Sequence, residues 1–394
     1  MKIGIIGDVH LGASYNLGRT HSELHVNSRL IDYTNTLEAT ISEIVELGAE
    51  EIIFTGDIFE HRHPPPKQQE IFSQLLHFAH AKGISRMHIV VGNHDQQRQH
   101  LTTTISYLKE LNLPHIRVYD ELRYETLEFH GKPVANVLFM PYRDRIWLGA
   151  ESHSDAINML REQINSKLEL MEDDLPRILV GHMAIEGTFF DEGYRDMYSE
   201  NQLMLPKDMF SGINVTLMGH VHKPEVVSHD PYIAYVGSME KSGGFESHDK
   251  VFAILDLEKA EVVYHREPCR EIFDINLDYS NLTMGEDLFS QIQQDIDSFA
   301  ENHRLESSIV KGEVKISFED DKYFNARKIT SYIRETYKTH ICHELRKSVF
   351  SPRQSRDERI TEDISDISAL RMYLENTIDE RVLREELQAA GRDY

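Results

Sequence analysis

The sequence predicts an α/β protein with two packed sheets, followed by a small α+β unit and a helical C-terminal tail. The first half alternates short β-branched runs with amphipathic segments, which is typical of a largely parallel sheet covered by helices. Further apolar runs follow with few helices between them, and these suggest a second sheet packed on the first. The pattern changes around Pro268, where strands and helices alternate again on a smaller scale.

Each predicted element rests on its pattern of apolar residues. The first sheet is predicted from the strands Lys2–Gly7, Glu51–Thr55 and Arg86–Val91 and from the helices Ser28–Leu47 and Lys67–Lys82. The second sheet is predicted from the strands Tyr124–Phe129, Val134–Met140, Arg177–Gly181, Asn214–Met218, Tyr232–Val236, Val251–Asp256 and Glu261–His265, with one helix, Glu151–Met171.

The remainder of the chain predicts a cap and a tail. The cap has the helices Gly285–Glu301 and Tyr323–Tyr337 and the strands Ile309–Phe318 and His340–Val349. Ser351–Arg356 is typical of a linker, and apolar residues then recur at helical spacing from Ile360 to Leu387. We therefore expect domains at 1–268 and 269–350, with a linker and helical tail at 351–394.

Composition excludes several protein classes. The 394 residues are 40% hydrophobic and 27% charged, as in an ordinary globular protein, and no apolar run is long enough to cross a bilayer. The N-terminal segment does not resemble a signal peptide, and two cysteines cannot form a disulfide framework. We expect a cytoplasmic protein.

The net charge does not decide whether the partner is nucleic acid. A formal charge of −24 argues against a general phosphate-binding surface. A local positive groove can coexist with an acidic exterior, and bound divalent cations reverse the sign of a carboxylate-rich site.

Five short motifs carry the chemistry, and each follows a predicted strand. They are Gly7-Asp8-Val9-His10, Gly56-Asp57, Gly92-Asn93-His94-Asp95, Gly181-His182 and Gly219-His220-Val221-His222. Loops at the carboxyl ends of strands converge on one crevice in open α/β sheets. Carboxylate and amide oxygens with imidazoles, and no thiolate, suit hard-to-borderline divalent metals. Asp57 could bridge two ions through its two oxygens, and Asp95 could orient His94 or cap its turn.

The ordered set of motifs resembles the calcineurin-like metallophosphoesterases over roughly residues 1–265. The family fold is a two-sheet sandwich flanked by helices, which agrees with the predicted elements. The resemblance implies that one ion is held by Asp8, His10, Asp57 and His222, and the other by Asp57, Asn93, His182 and His220. It also implies that His94 contacts the scissile phosphate and assists the leaving group.

The implied chemistry is two-metal phosphodiester hydrolysis. Two ions about 4 Å apart would clamp the phosphate and activate the attacking water. His94 could donate a proton, because imidazole titrates near neutrality.

Within this family the chain resembles the SbcD-like nuclease subunits of double-strand-break repair. Gly7–Gly12 is similar to the D-x-H-L-G start of that group, and Gly56–Pro66 resembles its segment that begins G-D-[LI]-F and ends P-x-P. The resemblance implies 3′-to-5′ double-strand exonuclease and single-strand endonuclease activity with two Mn²⁺ ions, an SbcC-like coiled-coil ATPase as partner, and a homodimer. The sequence departs from the group at Glu60, where many members have a histidine. His61 or His63 could place the substrate instead.

The cap and tail have opposite charges. Residues 323–356 contain eight basic and two acidic residues, a net charge of +6, and the candidate DNA-binding residues are Arg327, Lys328, Arg334, Lys338, Arg346 and Lys347. The alternative is a solvated face whose charges pair with nearby acids. The tail, 357–394, has a net charge of −6, and its apolar stripe could pack on the cap or bind a partner helix.

Three functions remain open on the sequence alone. The first is a metal-dependent DNA nuclease working with an ATPase. The second is a phosphodiesterase or phosphatase acting on a nucleotide or another small phosphoester. The third is a non-catalytic scaffold, which the presence of all the candidate ligands argues against.

Overall fold

The computed structural model describes residues 1–97, 102–172, 174–188, 202–243, 246 and 248–350. The predicted linker and tail, 351–394, lie outside the described residues. None of the helices in these described ranges combines the length and hydropathy needed to cross a membrane.

The first part of the chain alternates strands and helices, as its sequence predicts. Its elements are β1 (Lys2–Ile6), α1 (Ser28–Glu46), β2 (Ala49–Phe54), α2 (Pro66–Ala81), β3 (Arg86–Val90), β4 (Gln96–Gln97), β5 (Thr102–Thr103), α3 (Ser106–Glu110) and β6 (Ile116–Tyr119). The side chain of Asn27 caps α1 by accepting the Arg29 backbone N–H at 2.9 Å.

The middle of the chain is mostly strands. Its elements are β7 (Arg123–Phe129), β8 (Lys132–Met140), α4 (His153–Leu168), β9 (Arg177–His182), β10 (Ala184–Ile185), β11 (Met204–Leu205), β12 (Val215–Gly219), β13 (Glu225–His229), β14 (Tyr232–Tyr235), β15 (Val251–Asp256) and β16 (Glu261–Arg266).

The cap follows as a compact α+β unit. Its elements are β17 (Ile272–Tyr279), α5 (Leu288–Asn302), β18 (Ile309–Ser317), α6 (Ala326–Tyr337), β19 (Ile341–Cys342) and β20 (Arg346–Phe350). β18 lies at the centre of the cap sheet and pairs in parallel with β17, β19 and β20.

Two six-stranded sheets form the body of the molecule. The first has the order β16-β15-β1-β2-β3-β6, and the second has the order β13-β14-β12-β9-β8-β7. Alternation along β1 turns Ile3 and Ile5 toward the second sheet and Ile6 toward the helices. Helices α1 and α2 cover the outer face of the first sheet, and α4 covers that of the second. The predicted two-sheet sandwich flanked by helices is therefore confirmed.

One detail of the prediction is wrong. The strands Val251–Asp256 and Glu261–Arg266 join the first sheet, where β15 pairs antiparallel with β1. The strand that follows β14 could in principle join either sheet, because the open edge of each sheet accepts a buried apolar strand. The pairing of Ile3 with Leu255 and of Ile5 with Ala253 uses the edge of β1 that β2 leaves open.

The cap elements differ in their bounds from the prediction. Helix α6 begins at Ala326, where the Asn325 side chain caps it, and residues 321–323 form a separate short turn. The single strand predicted at His340–Val349 is two strands, Ile341–Cys342 and Arg346–Phe350, with an irregular segment at 343–345 between them. The prediction missed strands β6, β13 and β17, the two-residue strands β4, β5, β10 and β11, and the short helix α3.

Candidate metal centre

The five motifs lie at the carboxyl ends of five strands, β1, β2, β3, β9 and β12. These strands belong to both sheets, and the sandwich brings their ends to one edge. Main-chain hydrogen bonds join neighbouring motifs there: His10 N donates to Asp57 O at 2.8 Å, and Thr55 N donates to Ile6 O at 3.0 Å. The structure therefore brings together all seven side chains that were expected to hold metal.

The first cluster contains Asp8, His10 and His222. The Nε2 atoms of His10 and His222 lie 2.9 Å apart, and His222 Nε2 lies 3.7 Å from Asp8 Oδ2. Asp8 is fully buried, and its Oδ2 also accepts the His220 backbone N–H at 2.8 Å.

The second cluster contains Asp57, His182 and His220, together with Asn93. Asn93 Oδ1 lies 3.0 Å from His182 Nε2 and 2.9 Å from His220 Nδ1. The amide oxygen of Asn93 thus faces one nitrogen of each imidazole, as expected of three ligands around one ion.

Asp57 lies between the two clusters. Its Oδ2 is 3.6 Å from His10 Nε2 and 3.3 Å from His182 Nε2, whereas Oδ1 accepts the His94 backbone N–H at 2.8 Å. A single carboxylate oxygen therefore faces both groups of ligands.

Two glycines allow this close approach. A Cβ at Gly92 would lie 2.1 Å from Asp57 Oδ1, and a Cβ at Gly219 would lie 2.4 Å from Asp8 Oδ1. Positions 92 and 219 need glycine, because the carboxylates of Asp57 and Asp8 occupy the space that a Cβ would need.

Outer contacts fix which nitrogen of two histidines faces the centre. Thr55 O lies 2.9 Å from His182 Nδ1, and the Glu60 carboxylate lies 2.9 Å from His10 Nδ1. Since a carbonyl or carboxylate oxygen only accepts, each Nδ1 carries a hydrogen, and Nε2 is the nitrogen that faces the cluster and would bind metal.

The protonation equilibria fit a divalent-metal site. Burial, together with the neighbouring His182, lowers the pKa of His220 to about 3, and burial beside His10 holds the pKa of His222 well below its usual range. Both are therefore neutral imidazoles, the form that binds metal. Burial opposes the charge of Asp57, but His182, His94 and His10 hold its pKa well below the usual value.

The negative charge of the neighbouring carboxylates raises the pKa of the other two imidazoles, His10 and His182. Burial disfavours the charged form of His10, yet Glu60, Asp57 and Asp8 raise its pKa to about 9. In the same way, Asp57 and Asp8 overcome burial and raise the pKa of His182 to about 9. Buried carboxylates that attract protons onto imidazoles are suited to attract metal cations to the same nitrogens, so the residues fit divalent ions.

His94 lies half-buried beside the first cluster. Its ring is 4.8 Å from that of His10 between centroids, and its Nδ1 lies 2.5 Å from Glu60 O. Nδ1 therefore carries a hydrogen, and Nε2 is the nitrogen left for a substrate. Asp95 is fully buried and accepts the backbone N–H groups of Gly92 and Ile58 at 3.0 Å each, so it caps the turn.

The other predicted residues lie outside the clusters. His61 and His63 are exposed in the loop after Asp57, and neither belongs to a group of potential metal ligands within the described ranges. The six basic residues of the cap are all exposed; four lie on α6 or at its C-cap and two on β20. Lys347 pairs with Asp321, and Arg327 lies 3.9 Å from Glu344.

Two charged residues of the site were not assigned a role from sequence. The Glu60 carboxylate contacts His10, and its position three residues after Asp57 was a usable signal. Lys250 is buried behind His222, where its Nζ donates to Ser238 Oγ at 2.7 Å, Glu246 Oε1 at 2.8 Å and His222 O at 3.3 Å. No local pattern marks Lys250 as part of the site, because His222 and Ser238 are distant from it in sequence.

Comparison with known proteins identifies the family. The family model described as calcineurin-like phosphoesterase matches residues 1–224. The chain belongs to this family. It is therefore a metallophosphoesterase, and the family predicted from the five motifs is confirmed.

Individual relatives of this phosphoesterase are distant. The chain is 24% identical over 257 residues to a DNA double-strand break repair protein Mre11 of Methanopyrus kandleri, covering 64% of this chain and 51% of that protein. It is 22% identical over 243 residues to a subunit of the nuclease SbcCD of Staphylococcus epidermidis, covering 59% of this chain and 63% of that protein. The chain thus matches less than two thirds of the length of either relative. A dimetal phosphatase structure from Danio rerio is 11% identical, with a TM-score of 0.41 over 68% of this chain and 96% of that one.

Proposed function

We propose that this phosphoesterase is a metal-dependent DNA nuclease. Asp8, His10, Asp57 and His222 would hold one divalent ion, and Asp57, Asn93, His182 and His220 would hold the other. The observation that carries the proposal is the position of Asp57 Oδ2, 3.6 Å from His10 Nε2 and 3.3 Å from His182 Nε2, which suits a ligand shared by two ions. We favour Mn²⁺, which nitrogen- and oxygen-rich sites accept.

The bound ions would supply Lewis-acid activation of the phosphodiester and of the attacking water. The protein supplies orientation and protons. Glu60 O accepts from His94 Nδ1, and Asp57 Oδ1 accepts from His94 N, so His94 is held once by its ring and once by its main chain. In its imidazolium form His94 can donate the Nε2 proton to the leaving oxygen.

DNA is the substrate that the distant relatives and the cap favour together. The two curated relatives are named as a double-strand break repair protein and a nuclease subunit. The cap exposes Arg327, Lys328, Arg334, Lys338, Arg346 and Lys347 on a chain of net charge −24. Such a local reversal supports phosphate contacts independent of sequence.

The wider assembly is part of the same proposal. We propose 3′-to-5′ exonuclease activity on duplex DNA, endonuclease activity on single strands, and a role in repair or recombination in the cytoplasm. An SbcC-like coiled-coil ATPase would bind the tail at 351–394, and the nuclease would act as a homodimer. His61 or His63 would help to place the DNA.

The test is cleavage of linear duplex DNA and of bis(p-nitrophenyl) phosphate with Mn²⁺, for the wild type, His94→Ala and the exposed control His153→Ala. We expect His94→Ala to lower DNA cleavage by roughly 10²- to 10⁴-fold while Mn²⁺ binding persists, because general acid catalysis contributes about that much. The control should behave as wild type. Turnover of the small diester without DNA cleavage would instead support the alternative, a phosphodiesterase for small phosphoesters.

A further inference from the structure

Glu60 contacts both His10 and His94, beside the first cluster, through two different groups, its carboxylate and its main-chain oxygen. Its carboxylate Oε2 lies 2.9 Å from His10 Nδ1, and its main-chain oxygen accepts from His94 Nδ1 at 2.5 Å. The Glu60 side chain is 26% exposed, whereas that of His10 is 5% exposed. Because the Glu60 carboxylate is only partly exposed, solvent screens its charge less than that of a surface carboxylate. Its contact with His10 is therefore stronger than an ordinary surface ion pair.

The main chain holds Glu60 in this position. Leu11 N donates to Ile58 O at 2.9 Å, and Glu60 N donates to Leu11 O at 3.3 Å. The segment after Asp57 therefore pairs with the segment after His10 as a short parallel bridge, in which Leu11 faces Phe59. These contacts place the backbone of Glu60 beside the segment that follows His10, from which the Glu60 carboxylate reaches His10 Nδ1.

We infer that Glu60 is a positioning residue that holds His10 as a metal ligand. With Nδ1 facing the Glu60 carboxylate at 2.9 Å, His10 presents Nε2 to the first cluster, 2.9 Å from His222 Nε2 and 3.6 Å from Asp57 Oδ2. A carboxylate behind a ligating imidazole fixes its tautomer and increases the basicity of the opposite nitrogen. The inference rests on the proposed ligand role of His10.

The side chain and the main chain of residue 60 have separate roles. Replacing the side chain removes the contact with His10 but leaves the carbonyl that accepts from His94. A change at residue 60 should therefore alter metal affinity at the first cluster and leave the orientation of His94 in place.

The experiment is a calorimetric titration of metal-free protein with Mn²⁺, for Glu60→Ala, Glu60→Gln and Glu128→Ala. We expect Glu60→Ala to weaken one of two Mn²⁺-binding steps by about 10- to 100-fold, as is usual for an outer carboxylate, and to leave the other step unchanged. Glu60→Gln keeps an acceptor without the charge, so its loss should be smaller. Glu128 is exposed on β7, and its variant should bind as wild type.

A double-mutant cycle with His10→Ala tests whether Glu60 acts through His10. If it does, Glu60→Ala adds no further loss of affinity in the His10→Ala background. A further loss of 10-fold or more there would show that the carboxylate contacts the ion directly and would overturn the inference. Wild-type affinity in both steps for Glu60→Ala would also overturn it.

Two measurements keep the result separate from other failures. Thermal unfolding of the metal-free variants should match that of wild type, because Glu60 is partly exposed and contributes little to the core. Since Mn²⁺ affinity is measured without DNA, a protein that binds metal in this way but cleaves no DNA would contradict the proposed nuclease and leave this inference standing.

Discussion

Three of the candidate ligands have a left-handed backbone, which is unusual for residues other than glycine. The φ angles are 46° at His10, 49° at Asp57 and 88° at His220. Such conformations cost on the order of 1–3 kcal/mol each and persist where the surroundings over-determine them. Here each residue is held at both its main chain and its side chain, which agrees with a site whose geometry matters more than its local stability.

Gly92→Ala tests how closely the shared carboxylate must be packed. The new Cβ would lie 2.1 Å from Asp57 Oδ1 and 2.4 Å from Asp57 N, so Asp57 must move. Because Asp57 faces both clusters, we expect both Mn²⁺-binding steps to weaken and diester hydrolysis to fall by about 100-fold, the effect of a displacement near 1 Å. Titration and steady-state rates measure the two effects.

Gly131→Ala is the matched control for that substitution. Gly131 has φ +74° in the turn between β7 and β8, and no atom lies within 4 Å of the place that a Cβ would occupy. Alanine there should cost about 1–2 kcal/mol of stability through its backbone alone and leave Mn²⁺ binding unchanged. If Gly92→Ala also bound Mn²⁺ as wild type, the close packing of Asp57 would be irrelevant to the centre.

At the scale of the elements, the sequence predicted which side chains come together better than it predicted the sheet to which each strand belongs. The strands before Asp8, Asp57 and Asn93 were predictable, because each is a buried apolar run followed by glycine and a polar residue. The sheet to which β15 belongs was not predictable, because the sequence does not show which sheet edge is still open when the chain reaches β15. The contact of Lys250 with His222 was equally hidden, because it joins positions 28 residues apart with strands β13 and β14 between them.

Helix α6 provides the element-scale test of DNA binding. Arg327 and Arg334 are both exposed and lie seven residues apart, so they share one face of the helix. If both contact phosphates, the double variant Arg327→Ala/Arg334→Ala should lower the slope of log affinity against log salt by roughly 2. Fluorescence anisotropy with labelled duplex DNA measures this slope.

The control for this helix is Arg304→Ala, in the same cap. The Arg304 side chain is 84% exposed and pairs with Glu306 outside the predicted patch. It should leave the salt slope unchanged, and all variants should hydrolyse bis(p-nitrophenyl) phosphate at the wild-type rate. A slope equal to wild type in the double variant would favour the alternative that this face is merely solvated.

At the scale of the whole molecule, a buried ion network joins the phosphoesterase body to the start of the cap. Arg29 on α1 donates to Asp32 at 2.8 Å and to Glu240 at 2.9 Å, and all three are buried. Arg270, between β16 and the cap, donates two hydrogen bonds to Asp32 Oδ1 at 2.9 and 2.7 Å. Helix α1, the segment at Glu240 and the segment before β17 thus share one set of charges, which links the body to the start of the cap.

Removing the central cation should destabilise the fold more than any surface change. Arg29→Met leaves Glu240 with an uncompensated charge in a buried site, and breaking a buried pair in this way costs about 3–5 kcal/mol. Urea unfolding measures the loss. Arg123→Met, at a side chain that is 65% exposed, is the control and should stay within about 0.5 kcal/mol of wild type.

Adding Glu240→Gln to Arg29→Met should recover part of the stability, because it removes the charge that was left unpaired. If Arg29→Met unfolded at the wild-type urea concentration, the network would contribute no net stability and the cap would be held by its apolar contacts, in which Leu17 packs with Ile272, Ile309 and Ile341.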